Sequence, residues 1–168
     1  MLPLIMLLSA CGFHFRGMAG SNYKFPFKTV YVECGGVVIC QNLKTAISTQ
    51  DLAQLESSPE SAEIVIKLHD EQTSRNPQTL NSAGRIAAYI LSYQAQASIW
   101  KNHRQLGGDI TVFHQIIMQY NDSTILADTT EEQNFWNQLH EMATNQLIHR
   151  IIYFKPLKAK APHVTESK

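Results

Sequence analysis

The chain has 168 residues, with 14 Lys plus Arg against 14 Asp plus Glu. That length suits one domain with a proper core, and zero net charge supplies no long-range field for nucleic acid or another polyanion. Charged residues make up 17% of the chain and 22 Asn and Gln fill the deficit, so its surface is cheaper to desolvate than usual and leans toward being covered by something else.

Residues 2–8, Leu-Pro-Leu-Ile-Met-Leu-Leu, are apolar and run into Ser9, Ala10 and Cys11. The run has the form of a signal-peptide core with its cleavage site, and it is too short for a hydrocarbon layer of about 30 Å. Small residues directly before a cysteine resemble the lipobox of bacterial lipoproteins. On that resemblance residues 1–10 are a cleaved signal, and Cys11 carries a diacylglyceryl thioether and an acylated amine. Several acyl chains, each contributing about 0.8 kcal/mol per buried CH₂, anchor firmly where one does not. Residues 11–28 then form a lipidated N-terminus and tether, 29–154 a single domain, and 155–168 a disordered tail rich in Lys, Ala and Pro.

Thr29 to Glu33 alternates and reads as a strand with Val30 and Val32 inward, stopped by Gly35-Gly36. Residues 37–49 read as a short helix with Ile39, Leu43, Ala46 and Ile47 on one face. Cys34 and Cys40 flank that turn; they pair in an oxidising compartment or serve as two small buried hydrophobes. A second strand starts at Glu63, with Ile64, Ile66 and Leu68 inward and Lys67 and His69 outward. It is expected to end near Arg75, because Asn76-Pro77 disrupts pairing.

The third strand, Ile86 to Trp100, places Ala87, Tyr89, Leu91, Tyr93, Ala95, Ala97 and Ile99 on one face and Ser92, Gln94, Gln96 and Ser98 on the other. After a turn at 101–108, Asp109 to Asn121 forms a fourth strand with Ile110, Val112, His114, Ile116, Met118 and Tyr120 inward. Neither Ile86–Trp100 nor Ile110–Asn121 contains an Asp, Glu, Lys or Arg. Strand edges are normally blunted by charge, so these strands are either central or covered by a partner. Thr129 and Glu132 resemble a capping box opening a helix to about Phe154, with Leu139, Met142, Ala143, Leu147, Ile148 and Ile151 as its apolar stripe. Strand, helix, three strands, helix is an α+β order. It is satisfied by a two-layer sandwich, two helices on one face of a four-stranded mixed sheet.

Catalytic chemistry finds no support. His140-Glu141 lacks the second histidine of a zinc protease, since Thr144 stands there. No nucleophile elbow, phosphate-cradling loop or dinucleotide fingerprint occurs, and no metal or cofactor is expected. His114, between Val112 and Ile116, reads as a hydrogen-bonded core histidine, while His69, His103, His140 and His149 fall at positions that read as exposed. Lys101 and Arg104 at one hairpin end, with Arg75 and Arg85 beside the other, are candidates to hold phosphates or carboxylates.

Cys11-Gly-Phe-His-Phe-Arg-Gly17 resembles the opening of the mature lipopolysaccharide-assembly lipoproteins of the LptE family, which begin Cys-Gly-aromatic-His-apolar-Arg. Ala143-Thr-Asn-Gln-Leu-Ile-His-Arg-Ile151 is similar to that family's last helix, as is Gly84 to Tyr89 with the charge-poor strand after it. The resemblance implies the same sandwich fold, a lipid anchor on the periplasmic side of the outer membrane, and a non-catalytic role. Members plug and help assemble the β-barrel translocon LptD, and bind lipopolysaccharide during its insertion into the outer leaflet. On this reading Phe13, His14, Phe15, Arg16, Tyr93, Trp100 and Phe113 contact the barrel. Arg75, Arg85, Lys101 and Arg104 meet lipopolysaccharide. The competing reading is a lipid-anchored module for another envelope ligand or an exporter.

Overall fold

The computed structural model describes residues 23–120 and 125–155, apart from the side chains of 125–128. Cys11, Phe13, His14, Phe15, Arg16 and the tail beyond 155 lie outside the described residues. The elements are β1 (Thr29–Glu33), α1 (Cys40–Thr49), β2 (Gln54–Leu55), β3 (Ile64–Leu80), β4 (Ile86–Lys101), β5 (Arg104–Gln105), β6 (Ile110–Gln119) and α2 (Ile125–Ile152). The sheet runs β2-β1-β3-β4, with β1 parallel to β2 and β3, and β3 antiparallel to β4. The other edge of β4 is paired first by β5 and then by β6. The four expected strands are therefore joined by two two-residue ones. The fold is α+β, with both helices against one face of a mixed sheet.

Alternation places the core between sheet and helices. Val30, Val32, Ile64, Ile66, Leu68, Leu91, Tyr93, Ala97 and Ile99 are buried there beneath Leu43, Ile47, Leu139, Ala143, Leu147 and Ile151. Each large aliphatic side chain so buried contributes about 1.5–3 kcal/mol. Phe25 and Phe27 belong to the same core, and the Phe25 N–H donates to the Leu52 carbonyl. The tether expected over 11–28 therefore ends earlier, because the extended Phe-Pro-Phe segment inserts both rings. At the far end of β4 the alternation slips: Ala88 is buried while Ala87 is half-buried.

Helix α2 begins at Ile125, so Thr129 lies within it and not at its N-cap position. Glu132 instead accepts from the Trp136 indole at 3.3 Å. A capping-box pattern marks a helix start when the chain before it is non-helical; here Ile125 to Asp128 are already helical.

Strand β3 does not stop at Asn76-Pro77 but runs to Leu80, with Pro77 opposite Tyr89. Strand β1 pairs β3 only as far as Lys67, so Pro77 stands on an edge and proline's missing N–H is tolerated there; the register shifts just after it. A second irregularity matters more. His69 pairs Gln96 and Gln72 pairs Gln94, so Asp70 and Glu71 together oppose Ala95. Asp70 has φ +50°. This bulge turns Glu71, Thr73 and Arg75 toward the helices, whereas unbroken alternation from Lys67 and His69 points them away.

The turn from β1 into α1 is fastened by a Cys34–Cys40 disulfide, with Cα atoms 5.3 Å apart. Of the two readings left open for these cysteines, the pair is the one realised. Gly35 has φ +54°, and a Cβ there would collide with the Leu68 carbonyl oxygen; at Gly36, φ +82°, a Cβ meets only open space. Gly35→Ala is expected to lose more than about 2 kcal/mol, and Gly36→Ala about 1 kcal/mol, in urea unfolding under oxidising conditions. Equal losses would show that φ alone, not the close approach, sets the requirement.

Candidate functional site

The sheet face away from the helices is uncovered by any described element. Along β4 it carries Ile90, Gln94, Gln96 and the buried Ser92 and Ser98, and along β6 Thr111, Phe113, Gln115, Ile117 and Gln119. Phe113 is 48% and Ile117 51% exposed, and Gln115 Nε2 donates to Ser92 Oγ at 3.0 Å. Of the two charge-free strands, β4 is central and needs no blunting. Strand β6 is an edge, so its ten charge-free residues stand unpaired on one side among the described residues.

Tyr93 belongs to the opposite face. It is fully buried against α2, which removes it from the surface aromatics expected to contact a partner. Its hydroxyl donates to Glu71 Oε1 at 2.6 Å, and Glu71 also accepts the Val38 N–H at 3.0 Å, just before α1. A carboxylate there complements the N-terminal end of the helix, where Ile39 offers no side-chain cap. Burial, then the Glu71 hydrogen bond and charge, push the Tyr93 phenol well above its ordinary range. His140, expected to be exposed, is half-buried with its ring edge-on to Tyr93 at 4.7 Å; burial lowers its pKa and Glu71 opposes that. His114 sits on the helix side as expected, but its Nε2 is buried without a hydrogen-bond partner among the described residues.

The four cations do not converge. Arg85 ends the β3–β4 turn, and Lys101 ends β4 sixteen residues later, which at about 3.3 Å per residue places them about 50 Å apart. Arg75 is engaged internally. The bulge brings its guanidinium 3.8 Å from the Tyr89 ring centre, and its Nε lies 3.4 Å from Glu132 on α2. Lys101 pairs with Glu63 at 3.0 Å, which also accepts the Lys28 N–H at 2.9 Å. That backbone donor first, then Lys101, holds the Glu63 carboxyl below its usual range against a smaller effect of burial. Arg104 is exposed beside the turn Asn102-His103, whose residues both have positive φ, as a two-residue hairpin loop requires.

Between that turn, the 59–63 loop and the ends of β1 and β3 lies a groove of about 560 Å³ that Trp100 lines. Asn102, His103, Glu33 and Glu60 complete its rim. Sequence reasoning singled out Trp100 but not these companions, which come from three separate segments and share no spacing signal. Among the described residues no cluster of three His, Cys, Asp or Glu is placed to hold a metal, and no helix is long and apolar enough to cross a membrane.

A helix-backed sheet with an open face that is uncharged along β4 and β6, and an end groove, defines a two-layer domain of the kind seen in several bacterial lipoproteins. The solution structure of lipoprotein B from Nitrosomonas europaea superposes with a TM-score of 0.70 at 22% identity, covering 83% of this chain and 90% of that one. The crystal structure of rare lipoprotein B from Shewanella oneidensis gives 0.63 at 11% identity over 73% and 92%. A minor lipoprotein from Acinetobacter baumannii gives 0.63 at 16% over 76% and 92%. No curated protein sequence matches the chain. The LptE, lipopolysaccharide-assembly, family model matches residues 27–151, and the chain belongs to that family.

Proposed function

We propose that this protein is a non-catalytic outer-membrane lipoprotein, held on the periplasmic side through lipid on Cys11. It plugs and helps assemble the LptD barrel and assists lipopolysaccharide insertion into the outer leaflet. One observation carries the reading: a sheet face without a central charge, continuous from β4 onto the unpaired edge of β6. The amides of Gln94, Gln96 and Gln119 and the Thr111 hydroxyl can hydrogen-bond a partner's backbone and side chains, while Phe113 and Ile117 supply apolar anchors. Trp100 stands at the end of the same face. Family membership supports the lipopolysaccharide role.

Lipopolysaccharide phosphates would be met at one hairpin end at a time, by Arg85 or by Lys101 and Arg104, since about 50 Å separates them. Arg75 serves the fold. The Tyr23 ring lies edge-on to Tyr153 at the end of α2, and Phe154 approaches Gly107, so the tether leaves the domain at the Arg104 end. That end would face the anchoring leaflet.

Site-specific photo-crosslinkers at Gln94, Gln96 and Phe113, in intact envelopes, test the placement. A heat-modifiable barrel protein should be captured from these positions and not from Glu141 or Asn145 on α2. Equal capture from both sides would overturn the assignment, and capture of a different envelope protein from the sheet side would favour the competing reading, a module for another ligand.

A further inference from the structure

We infer that the groove at the Lys101 end of β4 is a saccharide site, taking a pyranose ring against the Trp100 indole. Its chemistry selects that class by elimination. The lining carries the carboxylates Glu33, Glu60 and Glu63 against the single ammonium of Lys67, which disfavours phosphate. Pro59, Ala62 and Val65 add apolar surface beside Trp100, but an acyl chain laid there would desolvate the carboxylates of the rim without pairing them. A cationic group would be repelled by Lys67, whose Nζ lies 5.3 Å from the Trp100 ring centre and pairs with Glu33 at 3.0 Å. What remains is a neutral ligand with an apolar face and a rim of hydroxyls.

The groove offers matching parts. The indole N–H donates to Ser98 Oγ at 2.9 Å, which uses the ring's one polar group and fixes its orientation. The carboxylate of Glu60, the amide of Asn102 and the imidazole of His103 are planar donors and acceptors of the kind that read hydroxyl pairs. Asn102 and His103 are carried on a two-residue turn with both φ positive, a rigid mount at the end of the sheet. The pairings Glu33–Lys67 and Glu63–Lys101 compensate most of the local charge without a ligand.

Two envelope sources supply pyranoses, the oligosaccharide of lipopolysaccharide and the glycan strand of peptidoglycan. The first rests on the function proposed above; the site itself does not. The test is an amide and indole NMR titration of the full chain in detergent. The chain has two tryptophans, so Trp100→Phe assigns its indole signal directly. Probes are a lipid-free, dephosphorylated core oligosaccharide, a peptidoglycan disaccharide and inorganic phosphate. One of the two saccharides should shift the Trp100 indole saturably while phosphate does not, and the responding probe identifies the source. Trp100→Ala should weaken that binding about tenfold or more. Asn102→Gly, which keeps the turn's backbone, should weaken it by a smaller factor. No saturable shift from either saccharide, or an undiminished response of neighbouring amides in Trp100→Ala, overturns the site. Intact lipopolysaccharide bound equally by wild type and Trp100→Ala, with no saccharide shift, would overturn this inference alone. A saccharide shift without capture of intact lipopolysaccharide would overturn the function proposed above and leave the groove standing.

Discussion

Glu71→Ala is expected to lower the unfolding free energy by about 2 kcal/mol, a large loss for a half-buried polar residue on a strand. The reason is what the side chain leaves behind. Tyr93 is fully buried and its hydroxyl would lose a charged acceptor at 2.6 Å, while the Val38 N–H at the head of α1 would lose its partner. Tyr93→Phe removes the group that most needs Glu71, so Glu71→Ala in that background should cost about 1 kcal/mol less than in wild type. Additive losses across the four variants in urea unfolding would show that the two side chains act independently. The same pair predicts an alkaline limit. The Tyr93 phenol is raised in the folded state, so its contribution is complete below the unfolded value of about 10 and is lost as pH rises above it. Wild type should therefore lose stability above about pH 10 more steeply than Tyr93→Phe.

Replacing Phe113 and Ile117 together with Lys is expected to leave the fold nearly unchanged and to reduce barrel capture at least about tenfold. Both side chains are about half exposed on β6, so their loss opens no cavity, and Lys is a residue that edge strands accept. Two ammonium groups in the middle of an uncharged interface would have to be desolvated without partners, which costs more than the two apolar contacts are worth. Melting temperature and pull-down yield, measured on the same preparations, separate the effects. Undiminished capture by a stably folded double variant would place the interface elsewhere, on the helix layer or in the segment before Tyr23.

Much of the fold is legible because period-two and helical alternation report which side of an element meets the core. The run from Leu91 to Ile99 buries its odd positions, and the α2 stripe from Leu139 to Ile151 packs as its spacing implies. The lack of charge in two strands left two readings, central or covered, and the first holds for β4. The site was less legible. Arg75 and Arg85 lie ten residues apart near one hairpin, yet Arg75 is paired with Glu132 on the helix side of the sheet. Tyr93 and Trp100 lie on one strand, but their odd and even positions put them on opposite faces, one in the core and one in the groove.

Composition and alternation alone determined the α+β class, the four main strands, the identity of the core face and the absence of charge along two of those strands, because each is a local pattern along one element. Tertiary structure decided where that pattern was interrupted and what came together. The extra residue at Asp70–Glu71 has no sequence signature, since a bulge is specified by the strands on either side as much as by its own residues. Yet it reverses the facing of Glu71 and Arg75, builds the Tyr93 hydrogen bond, and turns one cation onto the Tyr89 ring and Glu132 of α2. Whether a charge-free strand is central or an edge is a property of the whole sheet, and so only the assembled order could show that β4 is shielded and β6 is open.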